Sequence, residues 1–194
     1  FYPYEAGVSA GKDFCVFDVP EVGRFGVSIC YDIWFPETNR MLTALGAEVL
    51  LHPVLTNTVD RNVELAMAQA AAAQFQMYVF DINGLGEGGV GRSCVVNPAG
   101  SLLHLAGAGE EIVPIEIDLE KVRRQREAGL HGLGQPLKSF RDFAGEFPVY
   151  SPAYAGPNYP RELGPLQLPR RGSRDLAPDP AALPAASQPK TAQG

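Results

Sequence analysis

The stretch GVSICYDIWFPETNR, residues 26–40, holds the end of an apolar strand, a sharp turn and the start of a helix. Arg24 to Cys30 (RFGVSIC) carries the apolar and β-branched residues of a buried strand. Pro36 to Leu45 reads as a helix. Pro36 sits in its first turn, Glu37 lies near its positive end, Met41, Leu42 and Leu45 form an apolar face, and Gly46 stops it. Cys30 stands between the two elements. A turn of this kind projects its side chain outward and aims the following backbone N–H groups at the same space. Helix N-terminal dipoles there favour a thiolate, and the N–H groups could hold a developing oxyanion. On strand position alone, a free cysteine is more often a small buried hydrophobe, and that reading is kept for Cys15 and Cys94, which lie within strand-like runs.

Outward from this stretch, strand and helix signals alternate. Glu48 to Val54 (EVLLHPV) reads as a short buried strand ended by Pro53. Asp60 caps a helix running to about Gln76, rich in alanines that permit close packing. Met77 to Ile82 (MYVFDI) is the next strand. Gly91 to Val96 and Ser101 to Leu105 flank Asn97-Pro98-Ala99-Gly100, a type I turn signature, and so form a hairpin. Glu111 to Ile117 is expected to be a strand in which Pro114 favours an edge or a bulge. Asp118 caps a basic helix, Leu119 to Glu127. Strand–helix units combined with a hairpin indicate an α/β fold with a mixed sheet.

The 194 residues carry a net charge of −6 and are 45% hydrophobic, which is ordinary globular composition. The acidic balance argues against nucleic acid as a partner, which would call for a basic face. No apolar run approaches the ~20 residues that span a bilayer, so no membrane partner is expected. Three cysteines without CxxC spacing argue against a disulfide framework or a structural zinc site, and fit a reducing, cytoplasmic setting. Residues 151–194 hold nine of the 17 prolines and lack Ile, Val, Phe, Met and Trp. They are expected to form an extended arm to about Tyr159 and to be disordered from about Leu163. The expected organisation is thus a folded body, 1–150, and a Pro-rich tail, 151–194.

The run ICYDIWFPETNR (29–40) resembles the nucleophile segment of the nitrilase, or carbon–nitrogen hydrolase, superfamily. The resemblance continues in order through FYPYE at the start, HPVLTNTVDRNVE (52–64), MYVFDINGLG (77–86), GRSCVVNPAGSLL (91–103) and EIVPIEIDLEKVRRQRE (111–127), and so covers about residues 1–150. It implies a nitrilase-like α-β-β-α sandwich with mixed sheets, here missing its N-terminal portion. It also implies hydrolysis of a small carboxamide or nitrile through a thioester, an amide being favoured because FYPYEAG resembles amidase-like members, with no metal or organic cofactor, in a homo-oligomer. By resemblance Cys30 matches the nucleophile and Glu5 the second glutamate that follows the family's lysine. That lysine, and the general-base glutamate, would precede Phe1. Lys12 follows Glu5 and does not match the lysine. Tyr31, Asp32 and Trp34 are expected to shape the substrate pocket, and Asn83 to close it, with core packing or turn formation as the alternatives.

Other readings stay open. Glu37 and Arg40 are spaced for a structural ion pair. A Cys–His dyad could draw on His52, His104 or His131, of which His52 ends a neighbouring strand. A chain lacking the lysine and the base could instead be a non-catalytic subunit acting in binding or assembly. In the absence of those two residues, the 194 residues alone are expected to be inactive.

Overall fold

In the computed structural model, which describes residues 9–56, 60–86 and 88–166, the strand and helix signals assemble into one mixed sheet. The strands are β1 (Cys15–Val19), β2 (Gly23–Val27), β3 (Val49–Val54), β4 (Tyr78–Asn83), the short pair β5 (Leu85–Gly86) and β6 (Gly89–Val90), β7 (Cys94–Val96) and β8 (Leu102–Leu105). The helices are α1 (Pro36–Ala44), α2 (Asp60–Phe75), α3 (Leu119–Ala128) and α4 (Pro136–Arg141). The six-stranded sheet has the order β1-β2-β3-β4-β7-β8. The β2-β3-β4 centre is parallel, because α1 and α2 carry the chain back between strands. Both flanks are antiparallel, because tight turns join β1 to β2 and β7 to β8.

Local chemistry explains the boundaries. Pro36 occupies the first turn of α1 as expected, and Gly46, at φ +94°, supplies the left-handed conformation after its end. In the β7–β8 turn the Gly100 N–H donates to the Asn97 carbonyl at 2.9 Å, and Gly100 has φ +84°. Asn97 Oδ1 also accepts from the Ala99 N–H, so the side chain copies the turn. Asp118 caps α3 by accepting the Glu120 N–H at 2.9 Å.

Alternate side chains of the sheet face α1 and α2. Leu50, Val79, Cys94 and Val96 pack there against Leu42, Ala68, Ala72 and Phe75. The alanines of α2 let the helix lie close to the strands. The opposite face is covered at one end by α3, whose Leu119 and Val122 pack on Val49 and Tyr78. Arg126 fixes that helix by donating to the carbonyls of Ala47 at 2.5 Å and Gln76 at 3.1 Å. On this face Phe17 on the edge strand β1 and Ile82 towards the other end of β4 are exposed. The described residues thus present a helix-backed six-stranded mixed sheet and the separate β5–β6 pair, in keeping with the α/β fold with mixed sheets that was expected.

Residues 111–117 depart from expectation: they pair with no strand among the described residues. The period-two alternation is nevertheless present. Val113 and Ile115 line a cavity of about 270 Å³ over Phe80, Ile82 and Val95, and Ile117 packs against the Val49–Tyr78 cluster. Ile112 points outward and is 95% exposed. The segment lays Val113, Ile115 and Ile117 over the sheet, the two isoleucines half-buried, instead of joining its edge, and Pro114 removes one of the N–H groups an edge ladder would use.

The described residues divide into two compact units, Ala10–Ala144 and one holding Ser9 and residues 145–166. In the second, 3-10 turns form at Pro148–Tyr150 and Tyr159–Glu162, and Arg161 Nη2 of the latter donates to the Tyr154 carbonyl in the segment between them at 2.7 Å. Residues 167–194, which carry most of the expected disordered tail, lie outside the described residues. Among the described residues no helix is long and apolar enough to cross a membrane.

Candidate active site

The ladder between β2 and β3 stops at Val27, and the chain turns sharply two residues later. Cys30 has φ +49°, a left-handed conformation that costs a non-glycine residue about 1–3 kcal/mol and recurs at functional sites. It opens a 3-10 turn, Cys30–Trp34, that leads into α1. Asp32 closes the turn from both ends. Its Oδ2 accepts the Ile29 N–H at 2.9 Å, and its own N–H donates to the Ile29 carbonyl at 3.1 Å. Ile33 is buried in the core and pins the turn from below. The Tyr31 ring stands edge-on to Phe35 at 5.1 Å and lies 6.3 Å from Trp34, which is 37% exposed. Ile29 and Asp32 also line a cavity of about 370 Å³ bounded by Gly11, Lys12, Asp13, Phe14, Cys15, Val27 and Thr38.

Cys30 is half-buried, at the carboxyl end of a parallel strand, where open α/β sheets place their ligands. The other two cysteines differ. Cys15 is exposed on β1. Cys94 is fully buried, and burial pushes its thiol up to about 12.

Behind the turn lies a buried polar layer that the sequence reading did not anticipate. Ser28 and His52 meet there, with His52 Nδ1 2.8 Å from Ser28 Oγ and 3.2 Å from the Ser28 carbonyl. Next to them Arg61, itself buried, donates to Asp81 Oδ1 at 2.5 Å, Glu64 Oε2 at 3.3 Å and the Arg92 carbonyl at 2.8 Å. Burial pushes the Asp81 carboxyl above its ordinary value, although Arg61 pulls the other way. Glu64 also accepts from the Thr56 hydroxyl at 2.9 Å. One signal was available: Asp81 is a charged residue in the middle of an apolar strand, and such a residue needs a buried partner.

Asn83 ends β4 and belongs to the same layer. Its Oδ1 accepts the Thr56 N–H at 2.9 Å, and its Nδ2 donates to the carbonyls of Thr56 at 3.0 Å and Gly91 at 2.8 Å. Asn83 therefore clamps the loops after β3 and β6, and Asp32 is committed to the backbone of its own turn. Tyr31, Asp32 and Trp34 share the Cys30 turn, while Asn83 sits two strands away. Glu5 lies outside the described residues. Arg40, expected to pair with Glu37, has its guanidinium 3.8 Å from the Phe140 ring centre and 5.3 Å from that of Phe75. His104 pairs with Glu111 at 3.2 Å. Among the described residues no group of three His, Cys, Asp or Glu is placed to hold a metal ion.

Burial pushes the His52 imidazole down to about 4, against an ordinary 6.5, with only partial compensation from Ser28, Glu64 and Asp32. The folded chain thus resists a proton that the unfolded chain accepts. Stability that is fully present above about pH 6.5 falls as pH drops and is lost by about pH 4, a contribution of roughly 3 kcal/mol. Urea midpoints at pH 7 and pH 4.5 check this: His52→Asn, which cannot titrate, is expected to show a smaller acid drop than the wild type. A drop of equal size in both would disprove it. A neutral imidazole held by Ser28 is also poorly suited to forming the imidazolium of a Cys–His pair.

Residues 3–127 match the carbon–nitrogen hydrolase family. The omega-amidase NIT3 of Saccharomyces cerevisiae is 34% identical over 127 residues, covering 62% of this chain and 43% of the relative. The crystal structure of Saccharomyces cerevisiae Nit3, a member of branch 10 of the nitrilase superfamily, superposes with a TM-score of 0.61 at 32% identity, over 70% of this chain and 50% of that one. A mutant of the amidase from Nesterenkonia sp. AN1, with the acetamide moiety of fluoroacetamide added covalently at its active-site cysteine, gives a TM-score of 0.53 at 25% identity over 64% and 48%. The chain spans about half the length of the curated relatives it matches. With the match extending over most of the sheet and through the Cys30 turn, the chain belongs to the carbon–nitrogen hydrolase family, in the nitrilase superfamily.

Proposed function

We propose that this chain carries the nucleophile of an amidase, with Cys30 attacking the carbonyl carbon of a small carboxamide. The observation that carries the reading is the left-handed Cys30 at the end of a parallel strand in a chain of this family. The thiolate adds to the carbonyl, the nitrogen takes up the proton that Cys30 gave to the base, the C–N bond breaks, and ammonia leaves. Water then hydrolyses the thioester, freeing the acid and the thiol. The backbone N–H of Tyr31 faces the developing oxyanion together with the family's lysine, and the family's first glutamate takes the Cys30 proton. Glu5 assists by orienting the lysine or the attacking water. Tyr31 and Trp34 line the acyl site and favour an apolar acyl group, while Asp32 holds its floor and Asn83 its rim.

Amides are assigned over nitriles because the curated relatives carry amidase names. The protein is proposed to work in the cytoplasm as a homo-oligomer through α1 and α2, where Met41, Leu45 and Val63 are exposed.

Ammonia release from a panel of short aliphatic amides tests this. Protein expressed from the complete reading frame is expected to release ammonia, and residues 1–194 alone to release none above a Cys30→Ala control. Turnover by residues 1–194 alone would refute the need for a preceding lysine and glutamate. No turnover from the complete reading frame on any amide would favour a role in binding or assembly.

A further inference from the structure

Pro53 lies inside a central strand, a position where proline is rarely tolerated because it cannot donate to a ladder. The register identifies the bond that is missing. Even-numbered residues of β3 turn their backbone groups to β4, as in Gly84 N–H to the Val54 carbonyl at 3.1 Å. Odd-numbered residues turn to β2, as in Ser28 N–H to the Leu51 carbonyl at 3.2 Å. The next bond in this ladder would run from the N–H of residue 53 to the Ser28 carbonyl. Residue 53 is proline and has no N–H. Ser28 is buried, so its carbonyl calls for another donor.

His52 supplies one. Its ring is fully buried, and Nδ1 lies 3.2 Å from the Ser28 carbonyl oxygen and 2.8 Å from Ser28 Oγ. A carbonyl only accepts, so this contact requires the proton on Nδ1. Two residues beyond Ser28 the chain takes the left-handed conformation of Cys30. We propose that His52 replaces the ladder donor that Pro53 lacks, and thereby acts as a positioning residue that sets the entry of β2 into the Cys30 turn. This rests on Cys30 being the nucleophile. It assigns His52 no proton transfer and no contact with substrate.

The test is the rate of Cys30 alkylation by iodoacetamide across pH, with the labelled cysteine mapped by mass spectrometry, and ammonia release alongside. The protein is expressed from its complete reading frame. His52→Leu removes the donor and is expected to slow both by about tenfold or more, since misplacing a reacting group by about 1 Å can cost on the order of 100-fold. His52→Asn places an N–H donor near the position of Nδ1 and is expected to stay within about threefold of wild type. Adding Pro53→Ala to His52→Leu returns the N–H to residue 53 and is expected to recover most of the loss. The pH midpoint of alkylation is expected to stay the same in all four proteins, whereas a Cys–His pair would shift it.

A His52→Leu rate equal to wild type overturns the proposal. So does a folded double variant that is no faster than His52→Leu, or a shifted midpoint. If His52→Leu does not fold, the double variant decides: folded and reactive supports the proposal, unfolded overturns it. Ammonia release that survives Cys30→Ala overturns the nucleophile reading itself. Cys30-dependent turnover indifferent to His52 overturns only the positioning role.

Discussion

Arg61→Met is expected to destabilise the protein by about 3–5 kcal/mol, because it strands two buried carboxylates. A typical domain has about 5–15 kcal/mol in all, so the variant should melt far below the wild type or fail to accumulate. Arg61 lies between Asp81 and Glu64 with all three side chains buried. The loss does not measure the worth of the ion pairs. Most of it is the cost of leaving negative charge away from water once its partner has gone. The repair follows from that cause. Adding Asp81→Asn and Glu64→Gln to Arg61→Met removes the stranded charge and should recover a substantial part of the loss, even though no ion pair is restored. Urea midpoints for the single and triple variants check this. A triple variant as unstable as Arg61→Met would show that packing of the guanidinium, and not charge, carries the effect.

The consequences would reach the site. Arg61 also donates to the Arg92 carbonyl, and Glu64 accepts from Thr56, whose backbone is clamped by Asn83. The loops after β3 and β6 are therefore tied to this buried layer, in addition to the direct bond from the Val90 N–H to the Thr56 carbonyl at 3.1 Å. These loops flank the carboxyl ends of the parallel strands, the region where Cys30 sits.

How far this was legible in the sequence follows from the range of the interactions involved. The β2-turn-α1 passage is local: Pro36 and Gly46 set the limits of the helix whatever lies around them. The β7–β8 turn is equally local, since Asn97 and Gly100 bond within the turn itself and Pro98 presets its backbone. The buried layer is not. His52 and Asp81 become neighbours only because β3 and β4 align in one register, and Arg61 reaches them from a helix between the two strands. Each of these residues is ordinary in its own window. Pro53 shows the intermediate case. It reads as the end of a strand, and it does end the ladder with β2, yet β3 continues through Val54 because its other edge still pairs with β4. Residues 111–117 carry a strand's alternation correctly, but alternation specifies which side chains are buried and not which backbone is paired. The roles of Cys30 and Glu5 came from resemblance, since position alone left Cys30 as plausibly a buried hydrophobe.

Cys30→Ala is expected to lower ammonia release by on the order of 10⁴-fold or more, as removal of a covalent nucleophile does in other hydrolases. Cys30→Ser should be nearly as severe, because a hydroxyl is far less acidic and a far weaker nucleophile than a thiol. The three cysteines give the internal control. Cys94 is fully buried with its thiol pushed up to about 12, so it should resist alkylation until the protein unfolds. Cys15 is exposed, but it lies within a regular strand and does not itself open a turn into a helix. Cys30 sits in a strained left-handed turn that leads through a 3-10 segment into α1. A haloacetamide is therefore expected to label Cys30 first, Cys15 more slowly and Cys94 last, with loss of turnover tracking Cys30 alone. Exposure by itself predicts the opposite order for the first two, since Cys15 is the more exposed. If inactivation followed Cys15, or if Cys30→Ser kept a tenth of the activity, the chemistry would have to be sought at another residue.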